Sequence, residues 1–206
     1  MSGSYDCTVR VWDIITGDCK WVLSGHTQKG KRHLGTYYSI SLTFCTYTVY
    51  SVVLNASQNL ACSGSMDSTV RVWNILTGQC QHTLTGHTSL VGLLGLSPSY
   101  LVSASADKTL RIWDPDTGEL RSTLAHHVST ITCFQHDELK VLSGSDGALT
   151  MWNIQDGMVV RHLLTGINNV WQVRFEGQWC IAASNRNGST MLDVWDFGND
   201  KNWTLG

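Results

Sequence analysis

The chain has 206 residues, 42% of them hydrophobic, two prolines and a formal net charge of -2. That is enough for one domain with a sizeable core. The charge argues against a general nucleic-acid surface, which would need a basic excess, and no apolar run approaches the length of a membrane span.

Taken in chain order, the first phrase is Ser2-Gly3-Ser4-Tyr5-Asp6-Cys7-Thr8-Val9-Arg10-Val11-Trp12-Asp13. It returns at residues 63–74 and again at 103–114. A degenerate copy, Ser143-Gly144-Ser145-Asp146 through Trp152-Asn153, is one residue shorter. A run ending Leu192-Asp193-Val194-Trp195-Asp196 is the last. Gly25-His26-Thr27 and Gly86-His87-Thr88 stand between copies, followed by a worn version, His126-His127. Within the clearest unit a period of two predicts strands at 90–96, 101–105, 110–113 and 120–124. Asp107 falls in the tight turn between the second and third strands, where a short acceptor suits the backbone.

A period near 40 residues with Gly-His and Trp-Asp resembles the WD40 repeat, four strands to a propeller blade. The resemblance implies an all-β fold, a WD40 β-propeller, and a surface for binding proteins. Its buried hydrogen-bonded sets would be His87, Asp107 and Trp113 with Ser103 or Ser105, then His26, Asp67 and Trp73, and His127, Asp146 and Trp152. A His–Ser–Asp trio also suggests a hydrolase, but recurrence once per repeat makes these residues structural. Arg10, Arg71 and Arg111 recur at one position and are read as structural or solvated. No nucleophile–base pair escapes the repeat, no glycine-rich phosphate loop follows a strand, and no metal-spaced cluster exists. The expectation is a non-enzyme with no cofactor and no metal.

The Trp-to-Trp spacings are 61, 40, 39 and 43. Three units are whole, the first begins inside its second strand and the last ends after its third. Residues 1–206 are therefore expected to form an incomplete propeller of about four blades with open ends, exposing two sheet edges. A truncated product or incomplete gene model would give that outcome. In the first interval 19 extra residues, 30–48, carry no repeat character. They read either as a long binding loop or as a translated intron. Gly30-Lys31-Arg32 permits a GTAAG donor, Leu42-Thr43 a branch site and Tyr47-Thr48-Val49 a CAG acceptor. Two further residues fit a longer loop near Asn55–Asn59. Residues 199–206 read as a C-terminal tail.

Repeat sequence follows Met1 at once, so no signal or transit peptide is expected and the setting is nuclear, cytoplasmic or both. The seven cysteines, odd in number and without a C-x-x-C pair, are expected to be buried thiols in a reducing compartment; Cys19 and Cys80 share one repeat position. Three glycosylation sequons, at Asn55, Asn187 and Asn202, are read as chance.

Residues 84–97, Ser2-Gly3-Ser4-Tyr5-Asp6 with Val49-Tyr50-Ser51, and Asn169-Val170-Trp171-Gln172-Val173-Arg174-Phe175 closely resemble the F-box/WD-repeat family of the yeast cell-division-control type. Asn185-Arg186-Asn187-Gly188 and Leu192-Asp193-Val194-Trp195-Asp196-Phe197 resemble the last blade of that family and its animal relatives. The resemblance covers nearly all of the chain outside 30–48. It implies a substrate receptor of an SCF-type ubiquitin ligase, whose narrow propeller face holds a phosphorylated Ser/Thr-Pro degron. Its partners would be proteins or phosphopeptides, neither nucleic acid nor membrane. Adaptor and cullin would be reached only through an F-box, which this sequence does not contain. Tyr5, Tyr50 and Trp171 fall on the family's aromatic positions, Lys29 where the yeast member has an arginine, and Arg186 in a last-blade turn. Lysine lacks the planar fork that grips phosphate. The alternative is a WD scaffold in another multiprotein complex.

Overall fold

The computed structural model describes residues 1–27, 48–200 and 203. Five antiparallel sheets follow one another along the chain. The first has β1 (Ser2–Gly3), β2 (Thr8–Trp12) and β3 (Cys19–Ser24). The second has β4 (Val49–Asn55), β5 (Leu60–Ser65), β6 (Val70–Asn74) and β7 (Cys80–Leu84). The third has β8 (Val91–Leu96), β9 (Leu101–Ser105), β10 (Leu110–Trp113) and β11 (Leu120–Leu124). The fourth has β12 (Ile131–His136), β13 (Lys140–Ser145), β14 (Gly147–Asn153) and β15 (Val159–Ile167). The fifth has β16 (Asn169–Glu176), β17 (Trp179–Arg186) and β18 (Ser189–Asp196). Each sheet is a meander, and the leading strands β1, β4, β8, β12 and β16 lie beside one another in turn. This is an all-β, incomplete WD40 β-propeller.

The period of two explains the packing. Alternate residues of a strand face opposite sides of its sheet, and here each side meets a neighbouring blade. In the second sheet Ala61 and Trp73 pack toward Val9 and Leu23 of the first. Cys62, Val70, Val72 and Leu84 pack the other way, against Val91, Leu101 and Trp113 of the third. The core is thus divided among the seams between blades, with two further clusters joining sheets three to four and four to five. Strands β5, β9 and β13, sandwiched on both faces, are buried along their whole length.

Two details of the first interval are visible. The longer loop after β4 is held by Asn55, whose Oδ1 accepts from the Ser57 amide, and by Asn59 at a φ of 55°. Gln58 Nε2 donates to Pro98 O in the next blade at 3.0 Å. Thr48, last residue of the 30–48 segment, is buried and takes the place that Leu90 has one blade on. The Met66 amide donates to Thr48 O at 3.1 Å as the Ala106 amide does to Leu90 O at 3.0 Å. Residues 30–47, and with them the intron and loop readings, lie outside the described residues.

The fifth sheet is closed differently. Ala182 stands where the other blades carry the serine of the hydrogen-bonded set, and Asp193 where they carry arginine or threonine. Trp203, within the predicted tail, instead folds back into the seam. Its ring stacks on Phe197 at 4.1 Å, meets Phe175 edge-on, and its Nε1 donates to Gly177 O at 2.7 Å. The buried Lys140 ammonium lies 4.6 Å from this ring and pairs with Asp137 at 2.6 Å. The cysteine expectation holds in part. Cys62, Cys133 and Cys180 are buried, with thiols raised by burial to about 12, 11 and 12. Cys19 and Cys80 are exposed on outer strands, where side chains alternate outward.

Trp203→Ala is expected to lower stability by about 3–5 kcal/mol in urea unfolding, the usual cost of truncating a buried tryptophan. An unchanged midpoint would show that the segment does not hold the last blade.

Candidate protein-binding site

Each whole seam is fastened by a hydrogen-bonded chain. In the second blade Trp73 Nε1 donates to Ser63 Oγ at 2.8 Å, and that hydroxyl meets His26 Nε2 at 2.8 Å. His26 Nδ1 meets Asp67 Oδ2 at 2.9 Å, which also accepts from the Thr27 amide. The third blade repeats the pattern, Trp113–Ser103 at 2.8 Å, Ser103–His87 at 2.9 Å and His87–Asp107 at 2.8 Å. With the indole donating, the serine proton is free to go to Nε2, which leaves Nδ1 to donate to the aspartate. Burial alone would raise the aspartates. Hydrogen bonds from Thr109, the Thr88 amide and His87 nevertheless hold Asp107 down at about 2. His26 and Thr69 hold Asp67 well below the carboxylate range.

The glycine before each histidine has a steric reason. Arg71 and Arg111 lie over Trp73 and Trp113 at 5.9 Å, and a Cβ on Gly25 would sit 2.6 Å from Arg71 Nη1. Arg111 Nη2 donates to Gly86 O at 3.0 Å.

The third predicted set needs a correction. His127 Nε2 meets Ser143 Oγ at 2.7 Å and Trp152 Nε1 donates to that oxygen at 2.8 Å, but His127 Nδ1 meets Ser145 Oγ at 2.7 Å, not Asp146. The turn is one residue shorter, so Asp146 is displaced outward and accepts from Ser129 Oγ at 2.8 Å.

The end of the blades that carries these turns is also where the exposed aromatic residues gather. Every leading strand after the first has a bulge at the same place, leaving one residue out of the ladder. These residues are Tyr50 in β4, Gly92 in β8, Thr132 in β12 and Trp171 in β16. Such bulges re-aim a side chain and recur beside functional surfaces. Tyr50 is 49% and Trp171 46% exposed, and Thr132 is also exposed. Tyr5 and Met66 hold equivalent positions in the turns after β1 and β5, both exposed. A cavity of about 310 Å³ opens beside Trp171, bordered by Leu94, Thr132 and Arg174. Tyr5, Tyr50 and Trp171 therefore share one rim.

Arg186 differs. Its Nη2 is ion-paired with Asp193 across β17 and β18, so one arm of its fork is already engaged. Lys29 lies outside the described residues. Lys108, exposed in the turn after β9 at a φ of 72°, adds a cation to the rim.

A propeller whose seams are fastened this way and whose rim carries exposed aromatics defines a protein-binding module, without a metal-binding His/Cys/Asp/Glu group among the described residues. The chain belongs to the WD40 family: the WD domain, G-beta repeat matches residues 1–13, 38–74, 78–114 and 118–153. It is 48% identical over 204 residues to Cell division control protein 4 of Candida albicans, covering 96% of this chain and 27% of that protein. The chain thus spans about a quarter of the length of that relative. It is 32% identical over 201 residues to Regulator of rDNA transcription protein 13 of Saccharomyces cerevisiae, covering 87% of this chain and 98% of that protein. Among solved structures it is similar to the computationally designed Ika4 protein, with a TM-score of 0.65 and 28% identity over 72% of this chain and 90% of that one.

Ser103→Ala would leave Trp113 Nε1 and His87 Nε2 without a shared partner. A loss of about 1–3 kcal/mol per stranded group is expected in equilibrium unfolding, against little change for exposed Ser99→Ala.

Proposed function

We propose that the rim binds a phosphorylated Ser/Thr-Pro degron and that the chain is part of a substrate receptor of an SCF-type ubiquitin ligase. The common bulge register carries the reading. It gives Tyr50 and Trp171 equivalent places at the rim, with Tyr5 in a turn at the same end. Aromatic walls suit a proline and its apolar neighbours. Phosphate needs cations at close range; Lys108 and Lys29 are the proposed sources, while a phosphate at Arg186 would have to compete with Asp193. The resemblance to Cell division control protein 4 supports the same reading. Adaptor and cullin would be reached through an F-box elsewhere in a longer product, in the nucleus, the cytoplasm or both. Residues 30–48 are proposed to be an intron that is translated in this sequence and spliced out of the working transcript, where Lys29 is joined to Val49.

A second reading is a WD scaffold that acts without phosphate. It is favoured by the relative of similar length, Regulator of rDNA transcription protein 13, which this chain covers almost completely.

Fluorescence anisotropy with a labelled Ser/Thr-Pro peptide separates the two. The degron reading predicts at least tenfold tighter binding of the phosphorylated form. It also predicts about 1–3 kcal/mol lost in each of Tyr50→Ala and Trp171→Ala. Equal binding of both peptide forms would favour the scaffold.

A further inference from the structure

The fourth blade departs from its neighbours at several positions that meet in space. Where the second and third blades have glycine before the histidine, it has His126. Where they have Arg71 and Arg111, it has Thr150. Where those arginines pair across the sheet with Thr83 and Thr123, Thr150 pairs with His162. The space left by the arginine is filled by imidazole. His126 and His162 stack at 5.2 Å with an angle of 20° between planes, and His126 stands edge-on to Trp152 at 6.4 Å. His162 Nδ1 meets Thr150 Oγ1 at 3.0 Å. These substitutions are mutually consistent: with no guanidinium to house, the glycine is no longer required.

The same blade has lost the carboxylate beneath its clasp. His26 and His87 each rest on an aspartate, at 2.9 and 2.8 Å; at His87 that carboxylate counters part of the burial that pushes the ring down. His127 rests on Ser145 and Ser143. Around it are His126 at its side, His162 from β15 and Asp146 from the turn between β13 and β14. All line one cavity of about 230 Å³ with Val128, Ala148 and Thr165. Asp146, the acid in this group, is turned to Ser129.

We propose that the seam between the third and fourth blades is an acid-responsive device: protonation of His127, enclosed by His126 and His162, unfastens it from Ser143 and Ser145 and frees β11 from the fourth blade. The charge balance has no compensation of the kind the other seams have. A proton on His127 Nε2 would oppose the hydroxyl that now donates to it, and two further imidazoles stand close by. Burial pushes His127 down to about 4, and the neighbouring His126 and His162 add to the shift. Its folded value lies below its unfolded one. The clasp's contribution is therefore complete above about pH 6.5, the ordinary histidine value, and is lost as pH falls toward 4. At pH 5.5 the opening equilibrium of this seam is expected to be about tenfold larger than at pH 7.

Hydrogen exchange of the full chain, corrected for the intrinsic pH dependence of amide exchange, tests this. Between pH 7 and 5.5, segments 128–132 and 143–152 should lose more protection than the equivalent segments 88–92 and 103–113, by up to about tenfold. The latter serve as reference because Asp107 counters part of the downward push that burial exerts on His87. The variant His126→Gly/Thr150→Arg/His162→Thr, which restores the neighbours' pattern, should reduce the excess; His162→Gln serves if the triple variant does not fold. An equal pH response in the two seams would overturn the proposal, as would an undiminished excess in the variants.

Discussion

One serine hydroxyl per blade ties the architecture together. Ser63, Ser103 and Ser143 each accept from a tryptophan indole and face a histidine nitrogen, all within 2.9 Å. The three partners come from different places: the serine from the second strand, the tryptophan from the third, and the histidine from the loop that leaves the previous blade's outer strand. A single oxygen thus joins a sheet internally and to its neighbour. Buried and fully partnered, such a chain stabilises; missing one member, it strands groups that have no water to turn to. The ends of the arc show what happens without it. In the first sheet Trp12 still donates to Ser2 Oγ at 3.0 Å, but no histidine among the described residues joins them, and Trp12 is 39% exposed against 1% for Trp73. The fifth sheet has Ala182 at that point and relies on Trp203 and Phe197 instead.

The seams make a rigid frame and the rim does the presenting. Because hydrogen bonding and apolar packing are both spent between blades, the turns and bulged residues at one end are free to vary. Tyr5, Met66, Tyr50, Thr132 and Trp171 occupy only two structural positions, repeated around the arc. A surface of this kind can change its chemistry without disturbing its core, which is why membership of the WD40 family does not by itself identify a ligand.

Much of the fold was legible because its signals are local. Strand alternation and the Ser–Trp and His–Trp offsets are fixed by pairing register. The strands expected at 90–96 and 101–105 accordingly appear as Val91–Leu96 and Leu101–Ser105. The bulges were not legible, since tyrosine, glycine, threonine and tryptophan share no sequence preference that marks the position; only the ladder register exposes it. Asp146 departs from the pattern of Asp67 and Asp107 because a one-residue deletion moves its side chain to a different side of the turn. The burial of Trp203 is not visible in sequence because its partners Phe175 and Gly177 belong to another segment. Arg186 was visible as a cation, but its pairing with Asp193 depends on a cross-strand contact that spacing alone does not reveal.

The central claim, that the serine-bridged clasp fastens each blade to its neighbour, is tested most directly by hydrogen exchange at the tryptophan indoles in ¹⁵N-resolved spectra. The account predicts slow exchange at Trp73 and Trp113, whose indoles are fully clasped, and exchange near the solvent rate at Trp12, whose set has no histidine among the described residues. Equal exchange at Trp12 and Trp73 would contradict it.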